Sequence, residues 1–255
     1  MDGVKKILYM NLGIIILEGG IGTGKSTLGK SIVEYYNSKG LPSVYLPEFG
    51  DIDLLNYYIS HMKEFAFSFQ TIMIRERINL INKALRLIEE GKYLVVVDRG
   101  IIGDLCFAKM LHKEGYISDE QYKIYGNLAT LDSITNGGGV PIRIVYLRNH
   151  VDVLLKRIKK RGIESEIKGY NNKYLEDLLS IHDALLLDPK KSSEEDDVVS
   201  KIIKHHGLSS HFSELSSVCK IVTLDYSKDF GGSIDNGGVL SNDIISQVIF
   251  KIFNI

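Results

Sequence analysis

Residues 19–26 read Gly19-Gly20-Ile21-Gly22-Thr23-Gly24-Lys25-Ser26 and fit the spacing G-x-x-x-x-G-K-[ST]. An apolar run, Ile14 to Leu17, precedes them, and a helix-compatible stretch, Thr27 to Lys39, follows. Strand, glycine loop and helix in that order make a phosphate cradle. Glycines let backbone N–H groups turn inward around an anion with no side chain in the way. The helix N-terminus adds its positive end. Lys25 can reach the outer phosphates, and the Ser26 hydroxyl can hold Mg²⁺. Gly19 to Thr27 are therefore assigned to nucleotide binding.

Further residues follow at strand and helix ends. Asp98 closes an apolar strand, where a phosphate-loop enzyme keeps an acid beside its Mg²⁺, and Arg99 can offset charge on phosphoryl oxygens. As a bare residue, Asp98 also fits a plain strand-end turn. Glu48 closes the preceding strand and can accept a hydroxyl proton in phosphoryl transfer. Taken alone, it fits an exposed loop acid equally well. Phe69 and Gln70 stand in the first turns of a long helix, with Arg77 two turns further on the same face. The Gln70 amide pairs a donor with an acceptor and can meet a nucleobase edge, Phe69 can stack on the base, and Asp104 can balance Arg77. Arg157, Lys159, Lys160 and Arg161 end a helix before Gly162. They read either as cations favoured by the helix dipole or as a lid closing over phosphates and excluding water.

The elements that position these residues alternate as in a parallel sheet with crossover helices. Strands are expected at 13–18, 43–47, 93–98, 142–147 and 219–224. Helices are expected at 25–39, 52–61, 64–90, 101–113, 118–134, 150–161, 171–187 and 239–253. Residues 136–139 form a glycine-rich connection. Residues 188–217, serine-rich and charged and then carrying His205, His206 and His211, are expected to be an insertion or mobile excursion. The histidine spacing is too loose for a metal site, so a solvated run is preferred. The whole reads as one domain over 1–255, with a lid about 157–170.

Composition narrows the classes. With 44 % hydrophobic and 25 % charged residues the chain is globular, and its net charge of −1 gives no global pull toward nucleic acid or an anionic membrane. Two separate cysteines, Cys106 and Cys219, read as buried reduced thiols. No apolar run approaches the roughly 20 residues of a membrane span, and Met1 to Leu12 lack a signal-peptide core. A soluble, intracellular, cytoplasmic protein is expected.

The ordered set of motifs resembles the deoxyribonucleoside kinases related to deoxycytidine, deoxyguanosine and mitochondrial thymidine kinases. Glu18 to Thr27 match that family's E-G-x-I-G-x-G-K-S-T loop, Pro47-Glu48 its P-E, Phe69-Gln70 its F-Q, and Asp98-Arg99-Gly100 its [ED]-R-S. Arg157 through Gly162 resemble its R-x-x-x-R-G lid. The resemblance implies a catalytic base at Glu48, base recognition by Gln70, and a 3′-hydroxyl contact from Glu166. It also implies a sugar-binding tyrosine at Tyr58 and an adenine-wrapping loop that includes Asp229 and Phe230. Gly100 stands where relatives carry Ser, and Ile163 where they often carry a second arginine. Within the family Arg77 and Asp104 point to deoxycytidine or purine deoxynucleosides. Met73 narrows the pocket toward a pyrimidine, so no base is chosen.

These readings converge on a three-layer α/β P-loop kinase fold, a parallel sheet of about five strands with helices on both faces. The expected reaction is phosphoryl transfer from ATP with Mg²⁺ to the 5′-hydroxyl of a deoxynucleoside. Ser26 and Asp98 would serve the metal, Arg99, Arg161 and Arg157 the phosphates, and relatives imply a homodimer through long helices. A thymidylate-type nucleoside monophosphate kinase is the first alternative, opposed by Phe69-Gln70 and Pro47-Glu48. A GTPase-like binding module is a second. It lacks a guanine-reading Asn-Lys-x-Asp, since Asn172-Lys173-Tyr174-Leu175 has no Asp.

Overall fold

The computed structural model describes residues 12–131, 140–205, 219–227 and 238–253. Five strands form one parallel sheet: β1 (Gly13–Glu18), β2 (Ser43–Leu46), β3 (Leu94–Asp98), β4 (Ile142–Arg148) and β5 (Cys219–Asp225), in the order β2-β3-β1-β4-β5. All five expected strands are present. Alternation sends the β1 side chains to two cores: Ile14 and Ile16 to one face of the sheet, Ile15 and Leu17 to the other. Both faces are covered, so β1 and β3 read as continuous apolar runs.

One face carries α1 (Lys25–Ser38), with Leu28, Ile32 and Tyr36 packed inward, and the C-terminal helix Asn242–Phe253. The other face carries α2 (Ile52–Ser60), α3 (Met62–Glu89), α4 (Ile101–Lys113), α5 (Asp119–Leu128), α6 (Val151–Arg161), α7 (Glu164–Gly169) and α8 (Asn172–Leu187). Helix α3 has 28 residues and runs about 42 Å at 1.5 Å per residue. Its buried face carries Phe69, Gln70, Met73 and Arg77 in succession.

Three expectations are corrected. The helix expected at 118–134 ends at Leu128. There the Thr130 hydroxyl donates to the Gly126 and Asn127 carbonyls, and the chain tightens into i→i−3 bonds from Thr130 and Leu131. Residues 189–205 are not a loose excursion. They form α9 (Pro189–Glu195) and α10 (Asp197–His205), and α10 packs on α5 with Val199, Ile202 and Ile203 fully buried. Asp196 holds this turn by accepting from the Val198 and Val199 N–H groups and from Lys109 Nζ at 3.0 Å. The short α7 falls inside the expected lid and was not expected as a helix. Gly162, at φ 76, closes α6 in the left-handed region, and Ile163 then caps α7. Among the described residues no helix is long and apolar enough to cross a membrane. His206, His211, Asp229 and Phe230 lie outside the described residues.

A buried carboxylate joins β1 to α4. Glu18 Oε1 accepts from the Gly100 and Gly103 N–H groups at 3.0 Å each, capping the helix N-terminus. Burial nonetheless pushes the Glu18 carboxyl above its usual range. A Cβ on Gly100 would stand 2.7 Å from Ile16, which gives the glycine at that position its physical reason. On Gly103 it would lie 2.1 Å from Glu18 Oε2 and 2.9 Å from Arg99 Cγ. Behind α4, His182 is fully buried, its Nδ1–H donating to the Leu178 carbonyl at 2.8 Å. Burial, aided by Arg99, drives His182 down from 6.5 to about 3.

Gly103→Ala is expected to lower unfolding free energy by about 1–3 kcal/mol, the usual cost of overpacking. Urea unfolding reads this, and an unchanged midpoint refutes the close approach. His182 gains a proton on unfolding, so its contribution is complete above pH 6.5 and is lost as pH falls toward about 3. Asp104, raised from 3.8 to about 6, works in the opposite sense over part of that window. His182→Gln should therefore flatten the acid limb of stability by up to about 1.4 kcal/mol per pH unit. Melting temperatures across the acid range, equal in slope for both proteins, would contradict this.

Candidate active site

The carboxyl ends of β1, β2 and β3 face one cavity of about 680 Å³, in the size range of small-molecule sites. Lys25, Glu48 and Gln70 all line it. The loop enters with Gly22 at φ 75 and Gly24 at φ 95, conformations that favour glycine. Gly24 caps α1 without a side-chain acceptor, and Gly24, Lys25, Ser26 and Thr27 line the cavity. The N-terminal N–H groups of α1 thus face a space suited to an anion. Lys25 Nζ donates to the Gly19 and Gly20 carbonyls at 3.1 and 3.0 Å. Burial, then Arg99, lowers Lys25 to about 8.

Glu48 is gripped by two guanidinium groups. Arg77 Nη2 and Arg99 Nε both donate to its Oε1, the latter at 3.0 Å. Burial alone would raise the Glu48 carboxyl, but Arg99, Arg77 and Lys25 together hold it well below the usual carboxylate range. With 34 % of its side chain exposed toward the cavity, it remains an available acceptor. Arg99 is buried, with Nη1 donating to the Gly19 carbonyl at 2.9 Å and its guanidinium 4.8 Å from the Phe107 ring centre. Its φ of 67 is the one positive value among described non-glycine residues. That turn carries the side chain back from β3 across the loop.

Arg77 also approaches Asp104, Nε to Oδ1 at 3.6 Å, and Tyr125 donates to Asp104 Oδ2 at 3.1 Å. Burial lifts Asp104 to about 6 against the pull of Arg77. Gln70 Oε1 and Arg77 Nη1 are buried beside the cavity with no hydrogen-bond partner. Phe69 and Tyr58 stack on each other at 4.1 Å and 6°, so one face of Phe69 is taken by a tyrosine. Met73 and Glu166 also line the cavity.

The arginines at the end of α6 divide. Arg157 donates to the Thr23 carbonyl at 3.0 Å, to Asn149 Oδ1 at 2.9 Å and to the Tyr226 carbonyl at 3.3 Å, so it clamps α6 to the glycine loop. Arg161 is half-exposed and pairs with Glu166 Oε2 at 2.9 Å, which places its charge on that carboxylate. Asp98 does not line the cavity. It stands behind Ser26, whose hydroxyl donates to Asp98 Oδ2 at 2.7 Å. The Ser26 proton is thereby committed to Asp98, and its oxygen lone pairs are left for a cation on the cavity side. Asp98 Oδ1 is buried without a hydrogen-bond partner, and Ser26, on the cavity side of Asp98, is the group placed to meet Mg²⁺. The residues present fit such an ion.

Sequence reasoning missed Tyr45, Asn149 and Phe107, and named Glu18 as part of the loop motif without its capping role. A tyrosine in a strand and a phenylalanine in an apolar helix carry no signal of their own. Asn149 follows Arg148 at the end of β4, a strand-end polar position that could have been flagged. Tyr45 donates to Asp98 Oδ2 at 2.5 Å, and burial, then Asp98, pushes its phenol well up, so it stays a donor.

Comparison with known proteins identifies the family. The family model described as deoxynucleoside kinase matches residues 15–249. A deoxyadenosine kinase of Lactobacillus acidophilus is 30 % identical over 155 residues, 58 % of this chain and 66 % of that enzyme. The deoxyadenosine/deoxycytidine kinase of Bacillus subtilis is 30 % identical over 156 residues, 61 % of this chain and 68 % of that enzyme. The chain thus spans about two thirds of the length of these relatives, and 59 % of a Dictyostelium discoideum deoxyguanosine kinase. The deoxyadenosine kinase of M. mycoides, solved with bound dCTP, shares the fold at a TM-score of 0.59 and 17 % identity, covering 95 % of this chain and 100 % of its own. With its family model matched over nearly its whole length, the chain belongs to the deoxynucleoside kinase family.

Proposed function

We propose that this protein transfers the γ-phosphoryl group of ATP to the 5′-hydroxyl of a deoxyribonucleoside. One observation carries the reading: Glu48, fixed between Arg77 and Arg99, opens onto the same cavity as Lys25 and Gln70. A nucleoside whose base meets Gln70 can then turn its hydroxyl toward Glu48 and the glycine loop. The new bond joins the 5′-oxygen to phosphorus, the β–γ bridge bond breaks, and the hydroxyl proton passes to Glu48.

The low proton affinity of Glu48 decides how it works. A carboxylate held this strongly ionised is a weak base toward an intact alcohol. In a loose transition state the nucleophile loses its proton late, when its oxygen has become acidic. Glu48 therefore orients the hydroxyl first and takes the proton last. Lys25 and the α1 N-terminus hold the phosphates, and Arg99 offsets their charge. Arg161 joins them when its pairing with Glu166 yields to the sugar hydroxyl. Tyr58, Phe69 and Met73 shape the apolar walls, while Gln70, Arg77 and Asp104 read the base. Ser26, with Asp98 behind it, would hold Mg²⁺, which when bound neutralises charge on the phosphate oxygens. A homodimer through α3 belongs to the same reading and is tested by sedimentation.

Glu48→Gln should lower kcat by about two to four decades, the usual worth of proton-transfer help, with the KM for ATP little changed. An unaltered kcat removes Glu48 from the chemistry. Gln70→Ala should raise the KM for the nucleoside while leaving ATP binding intact, and a loss confined to ATP would relocate the acceptor pocket. ADP release measured with the four deoxynucleosides and their monophosphates tests the reaction itself. Turnover of monophosphates alone would favour the thymidylate-type alternative.

A further inference from the structure

The side chain that sets the cation end of this cavity is held by a residue outside it. Asp98 Oδ2 takes two hydrogen bonds, from Ser26 Oγ at 2.7 Å and from Tyr45 Oη at 2.5 Å. The carboxylate is 1 % exposed, and its other oxygen has no hydrogen-bond partner. Tyr45 comes from β2 and reaches Asp98 past α1. A Cβ on Gly29 of α1 would lie 2.5 and 2.7 Å from the Tyr45 ring, so a glycine there leaves the path open. Strand β2 thereby contacts the end of β3 through a phenol as well as through its ladder.

We propose that Tyr45 is a positioning residue for the metal site. Its phenol and the Ser26 hydroxyl meet on Asp98 Oδ2 and lie within hydrogen-bond reach of each other, so the phenol holds that oxygen in place as the acceptor of the Ser26 proton. The Ser26 oxygen then keeps its lone pairs toward the cavity, and Asp98 Oδ1 keeps a fixed direction. Removing the phenolic oxygen frees the carboxylate to swing, and Ser26 can turn its proton toward a cation instead of its lone pairs. A group behind a metal ligand acts in this way by orienting it rather than by touching the ion. Gly29 belongs to the same device, because its missing side chain is what admits the ring.

The inference rests on the nucleotide–Mg²⁺ reading of the cavity, and the test separates the two. Mn²⁺ serves as the probe, its free spin signal reporting affinity for the protein·ADP complex, and ADP affinity without metal is measured in parallel. Tyr45→Phe should weaken Mn²⁺ binding by about tenfold, the lower end for a group behind a metal ligand, with metal-free ADP affinity within about twofold of the original. Unchanged Mn²⁺ affinity overturns the inference. So does an equal loss of metal-free ADP binding, which would mark Tyr45 as merely structural. Gly29→Ala should show the same Mn²⁺ defect in the original protein and little further effect in the Tyr45→Ala background, and additive losses would sink the coupling. A protein·ADP complex that holds Mn²⁺ no better than free ADP overturns the metal reading, and the inference with it.

Discussion

The site depends on where one buried guanidinium is forced to lie. Arg99 leaves β3 in the left-handed region, at φ 67, a conformation that costs a non-glycine residue of order 1–3 kcal/mol. Its side chain then spans from the Gly19 carbonyl to Glu48, with Phe107 beneath it. Loop shape, acid orientation and the packing of α4 are tied to this one turn. Gly103 carries no Cβ because Arg99 Cγ and the Glu18 carboxylate fill the place it would occupy.

Such a cluster is stable because its charges are matched in small steps. Arg77 lies between Glu48 and Asp104, Arg99 between Glu48 and the loop, and Glu18 ends on two backbone N–H groups. Removing one partner from a buried pair leaves a naked charge and typically costs about 3–5 kcal/mol. Lys25 is held by carbonyl oxygens and lowered to about 8 by burial and by Arg99, against the pull of Asp98, Glu48 and Glu18. A buried cation is suited to a polyphosphate. The arrangement is set in place ahead of the anion's charge.

The basic end of α6 shows how much a helix end can carry. Arg157 and Arg161 stand one turn apart on α6, yet the first clamps the glycine loop and the second faces Glu166. Gly162 turns the chain just beyond, so Glu166 on α7 comes back toward α6. The basic run is therefore neither a plain solvated helix end nor a single phosphate clamp. It divides its charge between the loop and the Glu166 carboxylate.

Much of this was legible in local pattern. The glycine loop, the five apolar strands and the long amphipathic helix follow from spacing, because backbone conformation and hydrophobic periodicity are local properties. Family resemblance on short motifs named Glu48, Gln70 and Arg99 before any geometry. Contacts between residues distant in sequence were not legible. Asp98 stands behind Ser26 rather than in the cavity, Tyr45 reaches it past Gly29, and one Phe69 face is spent on Tyr58. Nor could charge composition show that residues 197–205 bury Val199 and Ile202, since the partner surface belongs to α5. Sequence by itself determined the order of elements and the chemical types present at the strand ends. Tertiary structure alone decided which of those groups share an oxygen, a ring face or a charge, because parallel pairing brings together strand ends whose distance along the chain carries no record of it.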